Sequence, residues 1–280
     1  MRHVRGWRSL GLVAIVAFLL CLNALAQSRE HAEVRGSSAV GVLLLRARHP
    51  FCTASIVNSP SGNLVITAAH CLERRLASTM MFAPYYYDDS APLGEWHVTA
   101  QVFPPGWILH RNINQDFAFL TVRGDVQARA GAESLGFSLP APASVRVEAY
   151  SRTGRLTICN RRPGVIAAAG QQQLSFACPG YANASSGGPF LTDINQQSGL
   201  GTIVGLIGGY QHGGSSSSMS YSSPFGLVLH KLYSSLTDVS EDTGGTGLAA
   251  QPVILGGGPR PAWRLELPVL VDEGLARRGG

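Results

Sequence analysis

The chain has 280 residues, of which 45% are hydrophobic and only 14% are charged, and it contains 33 glycines and 16 prolines. So few charges beside so many turn-forming residues favour a β-rich globular protein and argue against a helical bundle. The formal net charge is +5, but no long run of lysine or arginine follows residue 26, so we expect no nucleic-acid partner.

The N-terminus has the pattern of an export signal. Three arginines precede residue 9, an apolar run covers residues 10–22, and A-L-A at residues 24–26 fits a small-x-small cleavage site. We therefore expect residues 1–26 to be removed, which lowers the net charge to +2 and leaves a mature chain that begins near Gln27. The alternative is a membrane anchor, although the apolar run is shorter than the roughly 20 residues that span a bilayer. Residues 27–37 are then an N-terminal segment or a short propeptide.

Short β-patterned runs separated by turn sequences fill most of the remaining chain. Many short strands without amphipathic helices between them indicate a barrel or a sandwich. One short helix is predicted at residues 224–236, and the glycine-rich composition of residues 236–280 predicts a flexible low-complexity tail. The predicted strands are 40–45, 51–57, 64–67, 96–103, 117–122, 145–150, 156–159, 174–177, 189–192 and 202–207.

Four of the five cysteines lie beyond the predicted signal, which contains Cys21. Export to an oxidising compartment makes disulfides the expected state of an even number of cysteines. Of the three possible pairings, we favour Cys52–Cys71 and Cys159–Cys178, because each closes a short loop between predicted neighbouring strands. A zinc site is the alternative, but C-x-x-C and H-E-x-x-H spacings are both absent, so we expect no metal and no cofactor.

The first motif that carries chemistry is T-A-A-H-C at residues 67–71, directly after an apolar strand. Two small alanines allow a tight turn that leaves His70 at the end of the strand, and Cys71 can link this segment to the strand at 51–57. The motif resembles the sequence around the catalytic histidine of the trypsin/chymotrypsin superfamily. The resemblance implies that His70 is the general base.

A second motif, S-S-G-G-P at residues 185–189, resembles the G-D-S-G-G-P of the same superfamily. It implies that Ser186 is the nucleophile. The glycines after it permit the tight backbone geometry that aims peptide N–H groups at a developing oxyanion. By the same resemblance, the oxyanion donors are the N–H groups of Ser186 and Ala184.

The third member of the predicted triad is Asp116, which opens D-F-A-F-L at residues 116–120 and resembles the D-[IF]-A-[LF]-L of the family. An acid at the head of an apolar strand can be buried enough to orient an imidazole. Asp88, Asp89 and Asp125 lie in predicted turns, where we expect solvated side chains. The order His, Asp, Ser along the chain is that of chymotrypsin and differs from that of subtilisins and α/β-hydrolases.

The resemblance covers residues 38–235, which we expect to form one serine protease domain. It implies an all-β fold of two six-stranded antiparallel β-barrels packed face to face, at about 38–125 and 140–235, with a short C-terminal helix. The implied activity is hydrolysis of protein or peptide substrates through an acyl-enzyme, by a monomer secreted to the extracellular space or periplasm. After signal cleavage we expect no stable membrane association. The alternatives are an inactive binding protein of the same fold, an esterase-like hydrolase with the same triad, and an adhesin presented through the tail.

Two features set this chain apart from the trypsin pattern. Ser185 stands where zymogen-type members carry the aspartate that pairs with a new N-terminal amine. The chain therefore looks more like the secreted bacterial trypsin-like or glutamyl-endopeptidase-like members, and we expect activity without cleavage after Arg35. The second feature is a predicted substrate pocket without a carboxylate, which disfavours cleavage after Arg or Lys. We interpret the nearby His212 as part of a turn and residues 215–218 as a polar loop. By resemblance that pocket comprises Gly180, Tyr181, Gly208, Gly209 and Tyr210.

Overall fold

A computed structural model describes residues 36–45, 49–137, 142–181 and 183–238. The predicted export signal, Arg35 and the tail beyond residue 238 lie outside the described residues. Among the helices of the described part, none is long and apolar enough to cross a membrane.

The first half of the described chain forms a closed six-stranded barrel, as the sequence predicts. Its strands are hydrogen-bonded in the order β1-β2-β3-β6-β5-β4, and every pair is antiparallel. The strands are β1 Val40–Leu45, β2 Pro50–Ile56, β3 Leu64–Thr67, β4 Met80–Pro84, β5 Trp96–Val102 and β6 Ala118–Val122.

Alternation along these strands places apolar side chains on both faces of the barrel wall. Leu43, Val65 and Leu120 belong to the core inside the barrel. Their chain neighbours Leu44 and Ile66 belong to a second core, which also contains residues of the second half of the chain. The outer face of the barrel is therefore buried against the second half, and the site described below lies along this junction.

The second half contains eight strands in two sheets. A five-stranded sheet has the order β7-β13-β12-β8-β9, and a three-stranded sheet has the order β10-β11-β14. The strands are β7 Ser134–Leu135, β8 Val145–Tyr150, β9 Leu156–Arg161, β10 Gly164–Ala168, β11 Gln171–Ala177, β12 Pro189–Thr192, β13 Thr202–Leu206 and β14 Met219–Ser222.

A closed second barrel is thus not confirmed, and the junction between the two sheets gives a physical reason. Where β13 meets β14, the Leu206 N–H donates to the side-chain Oγ of Ser222 at 2.9 Å. Because a side chain takes the place of a main-chain carbonyl there, Leu206 and Ser222 do not pair as a ladder, although the Gly208 N–H donates to the Tyr221 carbonyl at 2.9 Å just beyond β13.

Three α-helices occur in the described part of the chain: α1 Pro105–His110, α2 Val126–Ala130 and α3 Leu227–Thr237. The predicted C-terminal helix corresponds to α3, although it begins three residues later than predicted, after Gly226. Leu229 and Leu232 are buried, so this helix packs its apolar face onto the core shared by the two halves.

Both predicted disulfides are present. Cys52 of β2 is linked to Cys71 with a Cα–Cα distance of 6.1 Å, and Cys159 is linked to Cys178 with a distance of 6.6 Å. The first disulfide joins a barrel strand to the turn that carries His70.

Two fully buried carboxylates, which the sequence analysis did not predict, lie between the halves. Glu133 accepts hydrogen bonds from Ser37 Oγ and from the Gly201 N–H. Glu148 accepts from the Ser37 N–H at 2.8 Å and from Arg146 at 3.4 Å. Burial raises the pKa of Glu133 to about 7, although its two hydrogen bonds lower it. Burial also raises the pKa of Glu148.

Candidate active site

His70 lies where β3 leaves the barrel. The extended backbone of Ala68 ends the strand, and a 3-10 turn at Ala69–Leu72 begins at once. Ala68 and Ala69 are fully buried, whereas 16% of the His70 side chain is exposed. The small residues thus let the chain turn inside the core and still present the imidazole to a cleft, as the motif predicts.

Asp116 precedes β6, and its side chain is completely buried. Its Oδ1 accepts from the His70 N–H at 2.9 Å, and its Oδ2 contacts His70 Nδ1 at 2.7 Å and the Gly209 N–H at 2.8 Å. A carboxylate can only accept, so Nδ1 carries the ring proton and Nε2 is left as an acceptor that faces the cleft.

Gly208 and Gly209, predicted as pocket residues, lie against this carboxylate. A Cβ at Gly208 would come within 3.2 Å of Asp116 Oδ2, which is tighter than ordinary contact. Gly209 has a φ of 76° and aims its N–H at the same oxygen. Both glycines are needed where they are because the backbone approaches the buried acid closely.

Ser186 lies in the loop between Cys178 and β12, and this loop is tied to the first barrel. The Thr53 N–H of β2 donates to the Ser186 carbonyl at 2.8 Å, and Thr53 Oγ1 donates to the Ala184 carbonyl at 3.0 Å. Gly187 has a φ of 84°, and a Cβ there would lie only 2.1 Å from the Thr53 carbonyl oxygen. The G-G-P part of the motif is therefore explained by a close backbone crossing.

The N–H groups of Ala184 and Ser186, predicted as oxyanion donors, make no hydrogen bond to any protein group of the described residues. Ala184 is held with a φ of 80°, a left-handed conformation that favours glycine, and it is 8% exposed. Unpartnered donors in such a constrained loop are suited to a ligand oxygen.

Ser186 and His70 face common cavities, although no hydrogen bond joins Ser186 Oγ to His70 Nε2 among the described contacts. Both residues line the same two cavities, and the Ser186 carbonyl oxygen is 3.7 Å from Cys71 Sγ, next to His70 in the chain. Hydrogen bonds between catalytic groups are often long in unliganded structures and tighten when substrate binds.

One of these cavities, the serine cavity, has a volume of about 400 Å³ and is lined by His70, Ser186, Ile207, residues 211–217 and Ser220 among others. Tyr181, a predicted pocket residue, forms part of its wall and donates from its hydroxyl to the Val147 carbonyl at 2.8 Å. Burial raises the pKa of Tyr181, so this hydroxyl stays neutral and remains a donor.

The other predicted pocket residues lie beside the serine cavity and do not line it. Gly180 donates its N–H to the Ser217 carbonyl at 2.9 Å, which links the loop that carries Ser186 to the polar loop at residues 215–218. Tyr210 donates its N–H to Gln173 Oε1 at 2.8 Å and stacks edge-on against Tyr221.

His212 was expected to lie in a turn, and residues 215–218 were expected to form a polar loop. His212 and residues 215–217 also line the serine cavity. The His212 ring centroid is 5.1 Å from that of His70. Both Gln211 and His212 have φ values above 50°. No local sequence pattern predicts this left-handed conformation for these two residues. The usable signal was their position directly after the predicted pocket segment.

Within the described ranges, no cluster of three or more His, Cys, Asp and Glu side chains has the geometry of a metal site. The chemistry available here is that of a hydroxyl, an imidazole, a buried carboxylate and free backbone donors.

No protein-family model matches the chain, and no curated protein is similar to it by sequence. Solved structures do match. Protease Anisep from Arthrobacter nicotinovorans aligns with a TM-score of 0.61 and 22% identity, over 72% of this chain and 97% of that one. The thermostable serine protease AL20 from an extremophilic microorganism aligns with a TM-score of 0.61 and 21% identity, over 73% and 99% of the two chains.

A Glu endopeptidase solved in complex with MPD aligns with a TM-score of 0.55 and 17% identity, over 74% of this chain and 94% of that one. These likenesses show that the chain has the fold of the trypsin/chymotrypsin-like serine proteases.

Proposed function

We propose that this protein, which has the trypsin/chymotrypsin-like fold, is a secreted serine endopeptidase with His70, Asp116 and Ser186 as its catalytic triad. The observation that carries the proposal is the buried Asp116 carboxylate, 2.7 Å from His70 Nδ1, with Nε2 left free in a cleft that Ser186 also lines. The two disulfides and the predicted export signal support secretion.

In the proposed mechanism, Ser186 Oγ attacks the carbonyl carbon of the scissile peptide while His70 Nε2 takes its proton. Asp116 stabilises the imidazolium that forms and keeps the ring in the required tautomer. The unpartnered N–H groups of Ala184 and Ser186 stabilise the oxyanion of the tetrahedral intermediate. His70 then gives the proton to the leaving amine, and a water molecule hydrolyses the acyl-enzyme by the same steps in reverse order.

Zymogen-type activation pairs a new N-terminal amine with an acid at the residue before the nucleophile. In this chain that residue is Ser185, so the amine has no acid to pair with. The side chain of Ser185 is 8% exposed and lies in the wall of the serine cavity. We therefore propose that Thr53 and Gly187 hold the oxyanion loop, which is the segment that carries the Ala184 and Ser186 N–H groups. Cleavage after Arg35 is then not required for activity. A mature protein with an intact Gln27 terminus that is inert until cut at Arg35 would contradict this.

Labelling with a fluorophosphonate probe tests the proposed function, because the probe reacts only with an activated serine. We expect stoichiometric labelling of the wild type, mapped to Ser186 by peptide mass spectrometry, and cleavage of a protein substrate such as casein. Ser186→Ala should abolish both while the thermal unfolding curve stays the same. Ser144→Ala, at an exposed serine outside the site, is the matched control and should behave as the wild type. Unlabelled wild type would favour the inactive binding protein, and labelling with cleavage of esters alone would favour the esterase.

A further inference from the structure

A second cavity, the arginine cavity, is also lined by both residues of the proposed catalytic pair, His70 and Ser186. Its volume is about 310 Å³, and it shares His70, Asn183 and Ser186 with the serine cavity. The rest of its wall comes from residues 50–52 and from Cys71, Arg75, Arg152 and Ala184, none of which lines the serine cavity. A peptide bond placed at Ser186 therefore has two differently lined cavities next to it.

The charge of the arginine cavity is positive. Arg75 and Arg152 line it, and its lining contains no Asp or Glu. Among the described residues, neither arginine forms a salt bridge with a carboxylate. Two cations without an acidic partner, in the wall of a cavity that Ser186 also lines, create a local potential that favours an anionic group.

Arg75 is held in place by neutral groups. Its Nη1 donates to the Cys71 carbonyl at 2.9 Å, and its guanidinium carbon lies 4.5 Å from the centre of the Phe51 ring. The Arg75 carbonyl in turn accepts from Gln101 Nε2 at 2.8 Å. The guanidinium is thus oriented before any ligand arrives and still has N–H groups to offer, which lowers the entropic cost of binding a carboxylate.

Arg152 reaches the cavity from the turn that follows β8. The turn is closed by the Ser151 N–H, which donates to the Arg155 carbonyl at 2.9 Å, and by a 2.9 Å contact between the Ser151 and Thr153 hydroxyls. The Arg152 side chain is exposed and has no partner in the described part of the chain. It adds a second positive charge to the cavity, and it comes from the second half of the fold whereas Arg75 comes from the first.

We propose that the arginine cavity binds an acidic side chain of the substrate on the leaving-group side, at the first or second residue after the scissile bond. This inference rests on the proposed function. Tyr181, a residue of the predicted pocket for the residue before the scissile bond, lines the serine cavity and not the arginine cavity, so we assign the chain after the bond to the arginine cavity. A guanidinium binds a carboxylate through paired hydrogen bonds, which makes Glu and Asp the matching substrate residues.

Internally quenched peptides that differ at a single residue provide the test. A parent peptide that the protein cleaves is selected from a library, and Glu, Gln or Lys is then placed at the first or second position after the cleaved bond. We expect kcat/KM to be about three- to tenfold higher for Glu than for Gln, and lower again for Lys, with the difference shrinking at high salt. Ratios of Glu to Gln that stay within twofold at both positions would overturn the proposal.

Three variants assign the preference to the cavity. Arg152→Gln, at an exposed side chain, should reduce the Glu preference severalfold without changing stability, and Arg152→Glu should reverse it in favour of Lys. Arg75→Gln should reduce the preference as well, with thermal unfolding measured because this side chain also bonds to Cys71. The matched control is Arg155→Gln, an exposed arginine of the same turn that does not line the arginine cavity. A Glu preference that survives both Arg152 variants unchanged would contradict the assignment.

Fluorophosphonate labelling of each variant separates failure of this inference from failure of the proposed function. A protein whose Ser186 is labelled and which cleaves peptides without regard to charge after the scissile bond contradicts only the proposed acidic subsite. A wild type that is never labelled contradicts both proposals.

Discussion

His70 contacts the Asp116 carboxylate at two points: its ring Nδ1 lies 2.7 Å from one oxygen, and its backbone N–H donates to the other at 2.9 Å. The first contact sets the tautomer and the second fixes the turn that carries the ring. Because the acid is fully buried and also accepts from Gly209, three separate segments of chain meet at one side chain. The positions of the strand end, the 3-10 turn and the glycine pair thus depend on a single carboxylate.

Asp116→Asn should therefore abolish catalysis without unfolding the protein. The amide nitrogen must face either the ring or one of the two backbone N–H groups, so at least one hydrogen bond is lost and the wrong tautomer of His70 is favoured. We expect kcat to fall by roughly 10³- to 10⁴-fold. Initial rates on a quenched peptide measure the loss, with unfolding in urea as the check on stability. Asp88→Asn, at an exposed acid in a loop, is the control, and an equal loss there would contradict the assignment.

The sequence was sufficient to predict the parts of the site that local chemistry determines. The T-A-A-H-C motif predicts a strand that ends in a sharp turn, and β3 followed by a 3-10 turn confirms it. Disulfide pairing was predictable because each pair is separated by 19 residues and joins neighbouring segments. The short β-patterned runs predicted a barrel or a sandwich, and the family resemblance of the motifs implied the closed barrel that the first half forms.

Features that depend on distant contacts were not predictable in this way. Strand β10 Gly164–Ala168 is largely exposed and carries no clear alternation, and it exists because its main chain pairs with β11. The interruption between β13 and β14 depends on the side-chain hydroxyl of Ser222. The buried Glu133 and Glu148 look like ordinary surface acids in the sequence, since their burial follows from how the two halves pack.

Gly187→Ala tests whether the close backbone crossing holds the oxyanion loop. A Cβ at Gly187 would lie 2.1 Å from the Thr53 carbonyl oxygen, so the loop must move away from β2. We expect a loss of roughly 3 kcal/mol or more in the free energy of unfolding and a large fall in kcat. Gly170→Ala is matched to it, because Gly170 has a similar φ of 75° with no atom within 4 Å of the added carbon. There the backbone conformation alone should cost about 1 kcal/mol, with normal activity. Equal losses in the two variants, from urea titrations, would contradict a steric role for Gly187.

His212→Ala tests whether the second imidazole forms part of the substrate pocket. The ring lines the serine cavity 5.1 Å from His70 but makes no hydrogen bond to the triad among the described contacts. Its removal should enlarge the pocket and raise KM about tenfold, while kcat changes by less than threefold, because the contact serves ground state and transition state alike. His230→Ala, at a histidine of α3 outside the cavity, is the control. A fall in kcat with KM unchanged would instead assign His212 a role in the chemical step.

Stability should fall as the pH rises through neutrality, because of Glu133. Burial holds the pKa of this carboxyl at about 7 in the folded protein, against an ordinary value of 4.5. Between these two values the folded protein keeps a proton that the unfolded chain has released, so stability is full below pH 4.5 and is lost as the pH rises toward 7. The contribution is of the order of 3 kcal/mol. The Ser37 hydroxyl can accept as well as donate, so it can serve both protonation states of Glu133.

Glu133→Gln isolates this contribution. The amide can accept from the Gly201 N–H and donate to Ser37 Oγ, so it reproduces the protonated carboxyl and does not titrate. Urea unfolding at pH 4.5 and at pH 7.5 should show the wild type losing stability relative to the variant by a few kcal/mol. Glu148, whose pKa burial also raises, and its partner Arg146 are present in both proteins, so only their coupling to the Glu133 charge enters the difference. Glu73→Gln, which removes a partly exposed acid paired with Arg111, is the control, and its stability should change with pH as that of the wild type does. Equal changes in stability for Glu133→Gln and the wild type would contradict the prediction, because they would show that Glu133 is already ionised below pH 4.5.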